Sequence, residues 1–299
     1  MELHQLKYFI AVVETGSFSK AAKRCFVAQP SLSQQIIKLE KEIGTKLFDR
    51  LGKKVVLTEA GNTLLPGAKR ILSESKELKI RMSEEMSGNS GILSVGIIPT
   101  IAPYILPGTL KTFKKENPDA VIKVQENLTD RLIDMLINFQ IDIGIMSLPI
   151  NNSLLSHREL FEDRLVLAIP SNHKFIKLKK VRLKDLDHLP FIALDEEHCF
   201  GEQVKNFCYQ KTINPDIVCK TWNLSTITNC VSTEVGVSII PLMTALTNTT
   251  RGMLIKQIEE NPKRSVVSVS YRDRSKKSIA KKFEDTAIRE YQKLLKKSE

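Results

Sequence analysis

"GSFSKAAKRCFVAQPSLSQQIIKLEKEIGTKLFDR" (residues 16–50) decides how the amino-terminal part of the chain folds. Its apolar residues recur at helical spacing, which predicts two helices separated by a short turn. Ser17 can cap the first helix, and Pro30 suits the first turn of the second, where a missing N–H costs nothing. The second helix, which ends at Gly44, is predicted to bury Leu32, Ile36 and Leu39.

The polar face of the second helix is predicted to enter a DNA major groove, because its side chains can hydrogen-bond base edges and phosphates. The residues of this face and of the helix start are Gln29, Pro30, Ser31, Ser33, Gln34, Gln35 and Lys38. Two short strand-like runs follow as a wing, in which Arg50, Lys53 and Lys54 are predicted to contact phosphates. The alternative is a small helical domain with an ordinary solvated surface.

The wording of this segment resembles the winged helix-turn-helix of the LysR-type transcriptional regulators. The resemblance covers residues 1–62 and includes the paired alanines Ala21 and Ala22, the Gln-Pro-Ser before the recognition helix, and LTEAG at 57–61. It implies a transcriptional regulator rather than an enzyme. It also implies that the protein binds double-stranded DNA at an interrupted palindromic promoter site and that it forms a homodimer or homotetramer. RNA polymerase is a further candidate partner.

Residues 59–88 follow the wing as a long helical segment, and Thr58 can cap it. The resemblance implies a linker helix through which two subunits pair, with three leucines in the seam: Leu65, Leu72 and Leu78. The alternative is a helix packed on its own domain. The SGNSG run at 87–91 indicates a hinge after the helix.

The remainder of the chain alternates strand and helix patterns, beginning with ILSVGII, VIKVQE and IDIGIMS. This βαβαβ order predicts a parallel sheet with ligand groups at the carboxyl ends of its strands. A second lobe is predicted from about residue 163, and the strand after Arg264 is predicted to return to the first lobe. The LysR resemblance implies a two-lobed α/β regulatory domain like a periplasmic binding protein. The predicted domains are therefore 1–58, 59–88 and 89–299.

The composition agrees with a nucleic-acid partner. The chain has 299 residues and a formal net charge of +11, which suits a polyanion. It has neither a signal peptide nor an apolar run of about eighteen residues, which predicts a cytoplasmic protein that does not enter a membrane. Its five cysteines contain no C-x-x-C pair, so we predict neither a metal site nor a cofactor.

The stretch HCFGEQVKNFC (198–208) places two cysteines nine positions apart, the first beside a histidine. A permanent disulfide is not expected in a reducing compartment, which leaves buried thiols or a reactive pair. Within the LysR family this stretch resembles the OxyR peroxide sensors, as do IIPTIAPYILP (97–107) and TWNLSTITNCVSTEVGVSIIP (221–241). The resemblance implies that Cys199 and Cys208 form a reversible disulfide on exposure to hydrogen peroxide, and that the protein controls oxidative-stress genes.

Four further residues are candidates for a peroxide pocket. His198 favours a Cys199 thiolate if it donates a hydrogen bond or carries charge. The hydroxyls of Thr100 and Thr129 are candidates to hold the peroxide, and Arg264 stands near a basic position of the OxyR pattern. That pattern usually has an arginine where this chain has Gly201. The alternative function is a LysR-type regulator that responds to a small anionic metabolite bound between the two lobes.

The segment 200–208 is predicted to be at least partly helical or turned in the reduced protein, with Val204 and Phe207 packed inward. A fully helical segment would hold the two cysteine Cα atoms about 13 Å apart. A disulfide tolerates at most about 7 Å. Bond formation is therefore expected to unwind this segment and to act as a conformational switch.

Overall fold

The computed structural model describes residues 1–51, 54–87, 91–247, 250–272, 274 and 277–296. Two compact units make up the chain: residues 1–88 with Ile137–Phe139, and residues 89–136 with 140–299. Within the described ranges, no helix has both the length and the apolar character needed to cross a bilayer.

The first unit begins with three helices and a hairpin, of which the second and third helices and the hairpin agree with the prediction from the sequence. These elements are α1 (Leu3–Thr15), α2 (Phe18–Cys25), α3 (Gln29–Ile43), β1 (Phe48–Leu51) and β2 (Lys54–Leu57). The Ser17 hydroxyl accepts a hydrogen bond from the Lys20 amide at 3.5 Å and caps α2. Gly44 ends α3 with a φ of 84°, a left-handed conformation that favours glycine. Leu32, Ile36 and Leu39 are buried, as predicted.

Helix α4 (Glu59–Ser87) follows the hairpin. Thr58 caps it, because the Thr58 hydroxyl accepts a hydrogen bond from the Gly61 amide at 3.0 Å. Leu65 and Leu72 are partly buried against the core of their own unit. Leu78, which lies further along the helix, is 63% exposed. The first half of α4 is thus packed within its own unit. The pairing of two subunits through this helix remains a prediction, and Leu78 is the predicted contact residue that is exposed.

The first lobe of the second unit has the predicted parallel sheet. Its strands β3 (Ile92–Ile97), β4 (Val121–Glu126) and β5 (Ile143–Ser147) pair in parallel in the order β4-β3-β5. Helices α5 (Ala102–Glu116) and α6 (Thr129–Ile137) connect them. The loop after β3 and the start of α6 therefore lie at the carboxyl ends of neighbouring strands.

One long strand, β6 (Leu155–Pro170), runs through both lobes. Its amino-terminal half pairs antiparallel with β12 (Lys263–Tyr271), and its carboxyl-terminal half pairs with strands of the second lobe. The second lobe is predicted from about residue 163, and β6 pairs with strands of that lobe from Leu165 onward; the strand itself begins earlier, at Leu155. The first half of β6 contains many polar residues, so its sequence does not have the pattern of a buried strand. Arg158 in this half forms ion pairs with Glu284 and Asp285.

The second lobe is built on the carboxyl-terminal half of β6. Its elements are β7 (Lys180–Val181), β8 (Pro190–Leu194), α7 (Cys199–Gln210), β9 (Asp216–Thr221), α8 (Leu224–Ser232), β10 (Ser238–Pro241), α9 (Leu242–Thr247) and β11 (Met253–Ile258). Strands β8 and β9 form a parallel pair. The last helix, α10 (Ser278–Lys296), returns to the first lobe, where Phe283 packs edge to face on Phe113 of α5 with ring centroids 5.3 Å apart.

Candidate functional site

Helix α7 contains both cysteines of the 198–208 stretch. Cys199 is its first residue and is half-buried, whereas Cys208 lies in its third turn and is buried; both are free thiols. Val204 is buried and Phe207 is partly buried against the second-lobe core, in agreement with the prediction. At a rise of about 1.5 Å per residue, the continuous helix separates the two cysteine Cα atoms by about 13 Å. This conformation does not permit a disulfide between them.

Gly201 allows the first turn of α7 to lie directly on the end of β8. A Cβ atom at position 201 would stand 2.2 Å from the carbonyl oxygen of Asp195 and 2.7 Å from that of Leu194. Both contacts are with backbone, which a side-chain movement cannot relieve. An arginine, which the OxyR pattern usually has at this position, therefore has no space in this arrangement of α7.

Groups around Cys199 shift the pKa of its thiol in opposite directions. Burial raises the pKa of the Cys199 thiol above its ordinary value. The Thr129 hydroxyl and the positive charge of Arg264 lower the same pKa, and the Glu202 carboxylate raises it. Thr129 Oγ1 is buried and has no other hydrogen-bond partner among the described residues. The resting thiol thus keeps its proton, with groups beside it that favour the thiolate.

His198 precedes Cys199 and is buried. Burial lowers the pKa of the imidazole, while the Asp195 carboxylate and the Trp222 backbone oppose that shift. Its ring packs edge to face on Trp222 with centroids 5.5 Å apart. The neutral His198 ring supplies no positive charge to Cys199. It can therefore affect the Cys199 thiol only through a hydrogen bond. Its Nε2 atom is buried and has no partner within the described part of the chain.

Arg264 is buried between segments that are distant in sequence. Its Nη1 donates to Thr100 Oγ1 at 2.9 Å, and its Nη2 donates to the Thr100 carbonyl oxygen at 3.0 Å. Its Nε donates to Asp163 Oδ2 at 3.1 Å, and both side chains of this ion pair are fully buried. The guanidinium carbon lies 5.2 Å from the centre of the Phe200 ring on α7. Arg264 thereby joins the loop after β3, strand β6 and helix α7.

Gln203 also belongs to this site, although the sequence analysis did not select it. Its Nε2 donates to Ser147 Oγ at 3.2 Å and to the Leu148 carbonyl oxygen, both at the end of β5. Its Oε1 atom is buried and unpaired among the residues described. A signal was present in the sequence, because Gln203 follows Cys199 by four positions and residues at this spacing share a helix face.

The predicted DNA-contacting residues lie on and around α3. Gln29, Pro30, Ser31, Gln34 and Lys38 are exposed, and Ser33 is half-buried. Gln35 was predicted on the same exposed face as Ser33 and is likewise half-buried; its Oε1 accepts a hydrogen bond from Gln5 Nε2 at 3.2 Å. Lys53 and the side chains of Arg50 and Lys54 lie outside the described residues.

Comparison with known families decides the class of protein. Residues 3–62 match the bacterial regulatory helix-turn-helix protein, lysR family, and residues 86–292 match the LysR substrate binding domain. The chain belongs to the LysR family. Its helix-turn-helix unit is accordingly a DNA-binding unit, and its second unit is a LysR substrate binding domain. Within the part of the chain that the structure describes, no three His, Cys, Asp or Glu side chains are grouped to hold a metal ion.

The matches to individual relatives of the LysR family cover most of the chain. The chain is 32% identical over 241 residues to the hydrogen peroxide-inducible genes activator of Dickeya chrysanthemi, covering 81% of this chain and 79% of that protein. Full-length OxyR from Pseudomonas aeruginosa with an aspartate in place of a cysteine has the same fold, with a TM-score of 0.76, 24% identity and coverage of 96% and 98%. A peroxide-bound cysteine mutant of Corynebacterium glutamicum OxyR gives a TM-score of 0.67, 28% identity and coverage of 98% and 93%.

Proposed function

We propose that this LysR-family protein is an OxyR-like regulator that senses hydrogen peroxide through a reversible Cys199–Cys208 disulfide and controls oxidative-stress genes. The observation that carries the proposal is helix α7, which places Cys199 beside Thr129 of the first lobe and Cys208 in the core of the second. The names of the similar proteins, a peroxide-inducible activator and a peroxide-bound OxyR, support it.

The chemistry requires two thiols and one peroxide. The Cys199 thiolate attacks one peroxide oxygen, the O–O bond breaks, and the departing hydroxide takes a proton to become water. The product is a sulfenic acid on Cys199. The Cys208 thiol loses its proton and its sulfur attacks the Cys199 sulfur; the S–O bond breaks, and the departing hydroxide takes a proton to become a second water. Two thiols are oxidised to one disulfide, and an external dithiol reverses the reaction.

The peroxide pocket in this proposal consists of Thr100, Thr129, His198 and Arg264, to which we add Gln203. A peroxide molecule both donates and accepts hydrogen bonds, so it needs partners of both kinds. Thr129 Oγ1, His198 Nε2 and Gln203 Oε1 are buried atoms with unmet hydrogen-bonding capacity near Cys199. Arg264 holds Thr100 in place and adds positive charge, which favours the thiolate.

The disulfide acts as a switch because helix α7 must unwind to close it. Unwinding removes Phe200, Val204 and Cys208 from the second-lobe core, where all three are buried. The exposed and rearranged segment then alters the surface that one subunit offers to another. In this proposal the protein works as a homodimer or homotetramer on DNA, and the switch changes its contact with RNA polymerase.

The test is mass spectrometry of the protein after brief exposure to peroxide. We expect one linked peptide pair that joins Cys199 to Cys208. Cys199→Ser should abolish the response, and Cys208→Ser should leave a sulfenic acid on Cys199 without a disulfide. Cys25→Ser, a thiol in the other unit, serves as the matched control and should respond normally. A protein that keeps all its free thiols would contradict the proposal.

The alternative, a regulator of the same fold that binds an anionic metabolite between the lobes, has less support. The turn from Asn223 to Thr226 at the start of α8 offers hydrogen-bond donors that a carboxylate would need. Its Ser225 hydroxyl, Thr226 amide and Thr226 hydroxyl already donate to Asn223 Oδ1, at 3.0, 2.7 and 2.8 Å. These donors are therefore engaged within the chain rather than free to bind a carboxylate.

A further inference from the structure

Cys219 of β9 and Cys230 of α8 lie side by side in the second lobe. Both are free, half-buried thiols that pack against the second-lobe core. The two thiols are in direct hydrogen-bonding contact with each other. They are eleven positions apart in the chain, and neither belongs to the Cys199–Cys208 pair. The second lobe therefore holds another pair of neighbouring thiols.

The packing of α8 on β9 brings these two thiols together. Lys220 lines the space between β9 and α7, whereas Cys219 does not. Since successive side chains of a strand point to opposite faces of a sheet, Cys219 points to the other face, where α8 packs. On α8, Cys230 follows the buried Ile227 by three positions, which places it at the edge of the inward face of the helix.

Closing this pair into a disulfide does not require a helix to unwind. Cys199 and Cys208 are held about 13 Å apart by α7. Cys219 and Cys230 lie on different elements and are already in contact, so bond formation needs only a local adjustment. If one of them is modified by an oxidant, the other is its immediate neighbour, and the second step is intramolecular.

The surroundings of this pair differ from those of Cys199. Burial raises the pKa of the Cys230 thiol, and the neighbouring Cys219 thiol raises it further. The Arg264 charge, which favours a thiolate at Cys199, does not act on Cys230. Exchange with a small disulfide needs access to a sulfur and a second thiol nearby, but no pocket that activates a peroxide. A small disulfide therefore suits this pair better than hydrogen peroxide does.

We propose that Cys219 and Cys230 form a second redox-active dithiol, which low-molecular-weight disulfides oxidise by thiol–disulfide exchange. One thiol of the pair loses its proton, and its sulfur attacks a sulfur of the small disulfide. The S–S bond breaks, and the departing small thiolate takes a proton. The other protein thiol then loses its proton and attacks the modified sulfur, and a second small thiolate departs and is protonated. Two protein thiols are oxidised to one disulfide, and the small disulfide is reduced to two thiols.

The test uses the reduced full-length Cys199→Ser protein, which cannot form the Cys199–Cys208 disulfide, so its result does not depend on the proposed function. The protein is incubated with hydroxyethyl disulfide and digested, and its peptides are analysed by mass spectrometry. We expect the loss of two free thiols and one linked peptide pair that joins Cys219 to Cys230. Adding Cys230→Ser should leave only a mixed disulfide on Cys219. Adding Cys25→Ser, which removes a thiol of the other unit, should leave the link intact.

Two thiols that stay free, mixed disulfides on both without a link, or a link from either cysteine to Cys208 would overturn the proposal. Phenylarsine oxide tests the contact without oxidation, because its arsenic bridges two neighbouring thiols. It should bind the reduced Cys199→Ser protein at Cys219 and Cys230 in a ratio of one to one, and the loss of either thiol should abolish this binding. Binding that survives Cys230→Ser would also overturn the pairing.

Trp222 provides a spectroscopic readout. It is the only tryptophan of the chain and lies within the segment that the disulfide would close. Because a disulfide quenches the fluorescence of a nearby tryptophan, the emission of the Cys199→Ser protein should fall on oxidation and recover with dithiothreitol. An equal fall in the protein that also carries Cys230→Ser would overturn the assignment of this signal to the second pair.

Discussion

Arg264 Nη1 donates a hydrogen bond to Thr100 Oγ1 at 2.9 Å and joins residues that stand 164 positions apart in the chain. The same guanidinium forms a fully buried ion pair with Asp163. Asp163 also accepts a hydrogen bond from the Met243 amide at 3.3 Å. One side chain thus holds the loop after β3, strand β6 and the start of α9 in fixed relation.

Removing this guanidinium should strongly destabilise the second unit. Arg264→Met leaves the Asp163 carboxylate buried without its counter-charge, which typically costs about 3–5 kcal/mol. The free energy of unfolding in urea under reducing conditions measures the effect. The control is Arg289→Met, because Arg289 pairs with Glu116 on the surface, where ion pairs contribute little. Equal losses in the two variants would contradict the structural role of Arg264.

The reactivity of Cys199 should increase with pH across the neutral range. Burial raises the pKa of its thiol above the ordinary 9.0, so the thiolate is a minor form and its fraction grows about tenfold per pH unit below that pKa. Stopped-flow oxidation of the Cys208→Ser protein measures this profile. Thr129→Val should raise the pKa further and slow the reaction at any pH below it.

Thr112→Val is the control for that experiment, because Thr112 bonds to Glu290 on α10, away from the thiol. A rate that levels off near neutral pH would show that another group lowers the pKa of Cys199 more than burial raises it.

Gly201→Ala should weaken the packing of helix α7 on the end of β8 and lower the stability of the fold, because the new Cβ atom would overlap the backbone of Leu194 and Asp195. Overpacking of this kind costs about 1–3 kcal/mol. Gly67→Ala is a matched control within α4, where a Cβ atom meets nothing within 4 Å. The control should be neutral or stabilising. Thermal unfolding of the reduced proteins compares them, and equal behaviour would mean that α7 does not pack on β8 as described.

Gln34→Ala should remove sequence preference from DNA binding, because Gln34 is an exposed polar residue of α3. Loss of a bidentate base contact typically costs about 1–3 kcal/mol of discrimination. Lys54→Gln should instead weaken binding to all sequences and reduce its salt dependence. Fluorescence anisotropy with specific and scrambled duplexes separates the two effects. Unchanged specificity in Gln34→Ala would place the recognition face elsewhere.

Leu78→Glu should reduce the size of the assembly, because Leu78 is 63% exposed on a helix whose first half packs on its own unit. Sedimentation velocity measures the change. Leu154→Glu alters another exposed leucine, 44% exposed in the second unit, and should leave the assembly intact. If neither variant changes the sedimentation coefficient, α4 does not form the subunit seam.

Local sequence patterns predicted the elements and their ends. Ser17, Thr58 and Gly44 act within one helical turn, so their capping roles can be inferred from neighbouring residues. The segment 200–208 was predicted to be at least partly helical or turned, and it lies within α7. Gln203 was missed although its position four residues after Cys199 was visible.

The partners of Arg264 could not be predicted in this way. Asp163 comes from the middle of β6, and Phe200 comes from α7. No periodicity connects these segments, because they meet only through the crossing of the two lobes. The first half of β6 was not predicted for a related reason: its charged residues pair with α10, which lies more than a hundred positions later.

Strand β12 sets an order of events during synthesis of the chain. It lies between β5 and β6 in the sheet, yet it comprises Lys263–Tyr271, near the carboxyl end. The ribosome therefore synthesises β5 and β6 long before β12. Until β12 is made, each of the two strands has an unpaired edge with which other strands can pair. The hairpin of the first unit, in contrast, is formed by two strands that follow each other directly in the chain, β1 and β2. In every round of translation, the strands of the helix-turn-helix unit are thus complete before the sheet of the second unit.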